Sequence, residues 1–204
     1  MKLNPTTPFA LLLLFAAAPA FAQDEDAARL AIGVCAACHG PRGESVAPAF
    51  PRLAAQRAEY IESQLKSFRD RTRSDPMAQG YMWGMTSQLS DGTIAGLAEY
   101  YSKQKPVRNG QQGNPKLLQE GKTIYEQGIP ATNVPACITC HGKDAEGSAV
   151  YPRLAGQHAP YLVKQIALFK SALRADPNAA VMHAISAGMS FEQAEAVAAY
   201  LASK

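Results

Sequence analysis

The chain has 204 residues, 47% of them hydrophobic and 18% charged, enough for one medium domain or two small ones. Its 20 Lys and Arg stand against 17 Asp and Glu, and the net +3 is spread evenly: 10 of each sign over residues 23–105, then 9 basic and 7 acidic over 106–204. That balance excludes a nucleic-acid footprint. All four cysteines fall in two CxxCH motifs, which leaves none spare for a structural disulfide.

At the N-terminus Lys2 precedes an apolar run from Phe9 to Ala18, which ends in Ala20, Phe21 and Ala22. A basic start, a short apolar core and an Ala-x-Ala end are the marks of a secretory signal peptide, here 1–22 with cleavage expected after Ala22. The run falls short of the roughly 20 apolar residues that a bilayer span requires.

The opening helix is expected over Asp26–Val34, running into CAACHG at Cys35. Two sulfurs with two residues between them match one edge of a porphyrin, and the adjacent histidine reaches the iron beneath the ring. The motif therefore reads as c-type haem attachment through Cys35 and Cys38, with His39 as iron ligand. Zinc sites place their CxxC pairs about 15–20 residues apart, far closer than Cys38 and Cys137, and a thioredoxin-like site needs a βαβ setting. PRLAAQ follows at 51–56. Tyr60, Ile61, Gln64, Leu65 and Phe68 then mark one face of a helix. Arg69, Arg71 and Arg73, interleaved with Asp70 and Asp75, read as its solvated end. Met77, Met82 and Met85 come next, and Ser90 is a natural N-cap for a last helix. Ser102 to Pro115, polar and rich in Gly and Pro, is a linker.

The chain then repeats itself. A helix is expected over Lys116–Glu126, followed by CITCHG at Cys137, PRLAGQ at 152–157 and a helical face at Tyr161, Leu162, Gln165, Ile166 and Phe169. Ser190 and Gln193 suit a capping box. The offset between copies drifts only from 102 to 100 residues. The expected fold is all-α, in two similar domains, 23–105 and 106–204, the latter including the linker. Each wraps one covalently attached haem, the second held by Cys137, Cys140 and His141.

The sixth iron ligand separates electron transfer from catalysis, because a dihaem peroxidase needs an open position. When the copies are superposed, Met77 faces Asn178, Met85 faces Ile185 and Met189 faces Leu89; only Met82 and Met182 coincide. The axial pairs are then His39/Met82 and His141/Met182, and thioether ligation raises the potential. Core filling is the ordinary alternative for any single methionine. Each ligating histidine also needs a partner for its other ring nitrogen. Pro51 lies twelve residues beyond His39 and Pro152 eleven beyond His141. Each offers a carbonyl, or each marks only a turn before the next helix. His158 and His183 are expected at the surface or facing haem propionates, with His183 a competitor for Met182. Arg52 and Arg153 either pair with propionates or face solvent.

These residues resemble the cytochrome c4 family of dihaem cytochromes c. The likeness rests on the two CxxCH motifs, on PRLA(A/G)Q followed by a Tyr-bearing helix, and on a methionine seven residues ahead of the Leu-Ser or Met-Ser that opens the terminal helix. It spans essentially the whole mature chain. It implies two cytochrome c domains with facing haems, located in the bacterial periplasm with at most peripheral membrane association. Electrons would pass between redox partners such as a cytochrome bc complex and a cbb-type terminal oxidase. It also favours the carbonyl role for Pro51 and Pro152. Related dihaem domains serve as the electron-accepting subunit of periplasmic dehydrogenases, such as flavocytochrome sulfide dehydrogenases, which is the alternative reading.

Overall fold

The computed structural model describes residues 21–108, 110 and 113–204; of the expected leader, 1–22, residues 1–20 lie outside them. Among the described residues there is no strand, only isolated bridges between Ile129 and Val134 and between Ser148 and Tyr151. No described helix is long and apolar enough to cross a membrane.

The first copy comprises α1 (Phe21–Leu30), a π-helical turn at Ala31–Cys35, α2 (Ala36–His39), α3 (Ala58–Arg69), a second π turn at Ala78–Met82, α4 (Trp83–Thr86) and α5 (Asp91–Ser102). The second comprises α6 (Pro115–Gln127), α7 (Ile138–His141), α8 (Ala159–Lys170), α9 (Ala180–Ala187) and α10 (Phe191–Ala202). The opening helix thus begins earlier than Asp26 and, through the π turn, runs without a break into the first motif. Local signals set the other ends. Ser90 accepts from the Thr93 N–H, and Ser190 with Gln193 forms a complete capping box. After α3 and α8 the chain turns through left-handed residues at matching places, Arg71 and Ala172.

Each core forms where the opening and closing helices of a copy cross. Ala27 and Ala31 meet Leu97, Ala98 and Tyr101 in the first copy. In the second, α6 meets α10 at Gly121, where a Cβ would stand 2.0 Å from the Ala196 carbonyl oxygen. Small residues permit this approach, and close packing makes any added volume costly. The loop between motif and helix docks on the closing helix in the same way in both copies: Ala55 N–H donates to Tyr101 O, and Gly156 N–H to Leu201 O, each at 2.9 Å.

The two copies face each other across polar, reciprocal contacts. Gln56 Nε2 donates to Arg153 O (2.9 Å) and its Oε1 accepts from Arg153 N (2.6 Å). Gln157 does the same to Arg52, at 3.0 and 2.9 Å. Deeper in the interface two arginines cross over. Arg73 reaches Asp75 (2.8 Å) and Gln64 (2.6 Å) in its own copy and Gln165 (3.1 Å) in the other. Arg174 reaches Asp176 (3.0 Å) and Gln165 (2.7 Å), then Gln64 and the Tyr60 hydroxyl (both 2.9 Å) across the interface. Arg73 and Arg174 are only 5% and 4% exposed; the solvated helix end suggested by composition holds for Asp70 and Arg71, which are exposed, but not for Arg73 and Asp75, which are buried. Burial requires that such charges be matched, and here each is. Burial alone raises the Asp75 carboxyl, but the Arg73 charge and hydrogen bonds from Arg73 and the Ala78 N–H outweigh it and hold the pKa below the ordinary value.

His158 is also buried at this interface rather than at the surface. Its Nε2 lies 2.9 Å from Ser45 O of the first copy, which also accepts from Arg52 Nε at 3.2 Å. Desolvation first, and the Arg52 charge second, lower its pKa from the ordinary 6.5, against the opposing Ser45 hydrogen bond.

Two outcomes follow from this packing. Gly121→Val should cost about 1–3 kcal/mol in chemical denaturation of the holoprotein, because backbone rather than a flexible side chain stands in the way. The unfolded His158 ring titrates near 6.5 and the folded one lower, so its contribution to stability is complete above about pH 6.5 and is lost as pH falls through the folded value. Denaturation midpoints should therefore decline on the acid side of 6.5, and less steeply in His158→Gln.

Candidate functional site

Both CxxCH motifs are single helical turns, which sets the cysteines three residues apart on one face with the histidine next in line. They are reached differently. α1 passes through its π turn directly into Cys35, whereas the second motif follows a loop containing the short 3₁₀ turn Pro130–Thr132 and an Ile129–Val134 bridge. Both end on a glycine in a positive-φ conformation, Gly40 (77°) and Gly142 (84°), where the chain turns away from the histidine. All four cysteines are half-buried, and none is joined to another by a disulfide. Before haem attachment, burial raises the Cys35 thiol above its ordinary pKa and pushes Cys137 up to about 11.

His39 and His141 are each 8% exposed. His39 Nδ1 lies 2.9 Å from Pro51 O, and His141 Nδ1 lies 3.0 Å from Pro152 O. A carbonyl oxygen can only accept, so in both rings Nδ1 carries the proton. Desolvation lowers both ring pKa values, with the proline bond opposing, and keeps the rings neutral. A neutral ring protonated at Nδ1 has a lone pair at Nε2, the state in which imidazole binds a metal.

Met82 closes the π turn Ala78–Met82 and Met182 lies on α9; both are half-buried. Met85 is exposed, and Met189 is a core residue of the second copy. In the first copy a chain of edge-on rings runs from His39 to Phe50 (6.1 Å between centroids) and on to Tyr81 (5.8 Å), beside Met82. In the second, Tyr151, aligned with Phe50, meets His141 edge-on at 6.4 Å.

The residue after each methionine anchors it to the interface. Trp83 Nε1 donates to Arg73 O at 2.8 Å, and His183 Nε2 lies 2.7 Å from Arg174 O. His183 thus carries its proton on Nε2 and fills the place of a tryptophan N–H; it is half-buried, not a surface residue. Arg52 is half-buried and directed at protein carbonyls, Gly156 O at 2.5 Å and Ser45 O at 3.2 Å. Gln56 and Gln157, which close the two PRLA(A/G)Q stretches, lock the copies together, a role that no local sequence signal announces.

The donor set fits haem c: paired thiols with a neutral histidine on the same turn, a half-buried thioether at a matching place, and apolar side chains left exposed beside these motifs. Ile32, Val34 and Val46 flank the first CxxCH, Tyr81 and Met85 flank Met82, Val150 and Tyr151 precede Pro152, and Val181 precedes Met182.

The cytochrome c family model matches residues 25–105 and 118–204, one match per copy. The chain is 38% identical over 188 residues to cytochrome c4 of Azotobacter vinelandii, covering 88% of this chain and 89% of that one. The crystal structure of reduced recombinant cytochrome c4 from Pseudomonas stutzeri superposes with a TM-score of 0.76 at 33% identity, over 91% of this chain and 98% of that one. This chain belongs to the cytochrome c4 family. It consists of two tandem cytochrome c domains, carries two covalently bound haems c and is an electron carrier. It is also 36% identical over 178 residues to the thiosulfate dehydrogenase electron acceptor of Thiomonas intermedia, covering 83% of this chain and 78% of the relative.

The Trp83/His183 equivalence can be tested by exchange. Trp83→Phe removes the donor and strands the Arg73 carbonyl, at a cost of about 1–3 kcal/mol. Trp83→His, which copies the second domain, should recover much of that loss in the same denaturation experiment.

Proposed function

We propose that this dihaem electron carrier binds one haem at Cys35 and Cys38, with His39 and Met82 as axial ligands, and the other at Cys137 and Cys140, with His141 and Met182. The observation that carries this reading is the matched pair of Nδ1–proline bonds, 2.9 and 3.0 Å, which orients both rings and leaves both Nε2 atoms available. The coincidence of Met82 and Met182 in the repeat supports the sixth ligands. Bound haem supplies one-electron Fe(III)/Fe(II) chemistry. The chain holds each ring by Pro51 or Pro152 and each methionine segment by its ring N–H to Arg73 or Arg174, so little rearranges when charge changes. The domains divide at 23–105 and 106–204.

The leader 1–22, cleaved after Ala22, would export the chain to the periplasm. There it would pass electrons between a cytochrome bc complex and a cbb-type terminal oxidase, with at most peripheral membrane association. A second reading, as the electron-accepting partner of a periplasmic dehydrogenase, is favoured by the likeness to the thiosulfate dehydrogenase electron acceptor. Near-balanced charge argues for docking through apolar surface rather than strong steering in either case.

The test is the visible spectrum of purified protein, oxidised and reduced, with and without carbon monoxide. Two haems per chain, a far-red methionine–iron band in the ferric form and no response to carbon monoxide are expected; a carbon monoxide shift in half of the haem would overturn one methionine. Met82→Ala and Met182→Ala should each abolish half of the far-red band and lower one potential.

A further inference from the structure

The peptide unit joining Pro51 to Arg52 is bonded at both ends. Its carbonyl, Pro51 O, faces His39 Nδ1, and its N–H, on Arg52, donates to Gln157 Oε1 of the other domain at 2.9 Å. The mirror arrangement holds. Pro152 O faces His141 Nδ1, while the Arg153 N–H donates to Gln56 Oε1 at 2.6 Å. Each glutamine also fixes the next carbonyl along through its Nε2, at 3.0 Å to Arg52 O and 2.9 Å to Arg153 O. Both glutamines are 6% exposed, so these bonds run through buried surroundings, where hydrogen bonds in series polarise one another.

We infer that Gln157 and Gln56 are crossed positioning residues: each sets, through a single peptide unit, the hydrogen bond that holds the proximal histidine of the other domain, and so tunes the reduction potential of the haem to which it does not belong. The inference rests on His39 and His141 being the iron ligands. The sign follows from the order of the bonds. An acceptor on the amide N–H makes the proline carbonyl a stronger acceptor, which draws on the Nδ1 proton and makes the imidazole more electron-rich at Nε2. A more basic imidazole favours ferric iron. Docking of the domains therefore lowers both potentials, and loss of a glutamine raises the potential across the interface.

The experiment is a spectroelectrochemical titration of the dihaem holoprotein, with the two haems told apart by their paramagnetically shifted methyl resonances. Gln157→Leu should raise the potential of the haem at Cys35 and Cys38 and leave the other in place. The expected shift is about twofold in its ferric-to-ferrous ratio at fixed applied potential, the size given by a bond strengthened by some tenths. Gln56→Leu should do the reverse. A shift confined to the haem of the mutated domain, or a shift in neither, overturns the inference. If Leu parts the domains and both haems move together, Gln157→Glu decides: it gives up the Nε2 bond to Arg52 O but keeps an oxygen for the Arg52 N–H and makes it a stronger acceptor. The first haem's potential should then fall further than the second's, and an equal fall, or none, overturns the inference. The ferric far-red band, recorded in every sample, separates this result from failure of the ligand assignment: a missing band in the unmutated protein counts against the axial pairs, while an intact band with unmoved potentials counts against the glutamines alone.

Discussion

The bond from histidine Nδ1 to a proline carbonyl is the constraint around which each domain is arranged. It fixes which nitrogen carries the proton, and burial keeps the ring from gaining a second one, so a single local contact decides whether the other nitrogen can act as a donor to metal. The loops exist to place that carbonyl. Gly43 O accepts from both Leu53 and Ala54 N–H, Ala145 O accepts from both Leu154 and Ala155 N–H, and the same loops dock on the closing helix through Ala55 and Gly156. Leu53 and Leu154 then stand in the apolar surroundings of the two cores, which ties the carbonyl's position to the helix crossings.

The interface between the domains belongs to the same construction. Buried charge is poor evidence of net stability, since ions removed from water regain by pairing little more than they lose. The arginine cluster is better understood as a device of registry. Arg73 and Arg174 can find all their partners only when the domains meet in one relative position, and each arginine's backbone carbonyl is held by the ring that follows a methionine. Each arginine thereby joins the interface to the segment that follows a methionine, as each glutamine joins it to the peptide unit whose carbonyl faces a histidine.

Much of this was legible from sequence because the informative signals are local. CxxCH is a single helical turn, Ser190 and Gln193 lie three residues apart, and the tandem copy announces that the fold is built twice. What escaped is non-local or geometric. Arg73 looks solvated because its charged neighbours are visible in sequence, while its burial depends on Gln165, 92 residues away. The π turn before Cys35 lengthens α1 without any residue that announces it. His158 and His183 looked peripheral because a histidine carries no burial signal of its own. Trp83 and His183 did hold a clue, since an aligned tryptophan and histidine share a ring N–H and little else.

Gln56 and Gln157 grip the partner's main chain and not its side chains. The glutamine bonds themselves make no demand on the side chains at 52 and 153, although Arg52 adds a side-chain bond of its own to Gly156 O. The copies have in fact drifted apart next to these bonds: Arg57 stands where the other copy has His158, and Ala55 where it has Gly156. Duplicated domains joined in this way can diverge in surface, charge and partner preference while remaining fastened to each other, which gives one ancestral haem module two separately adjustable descendants in a single molecule.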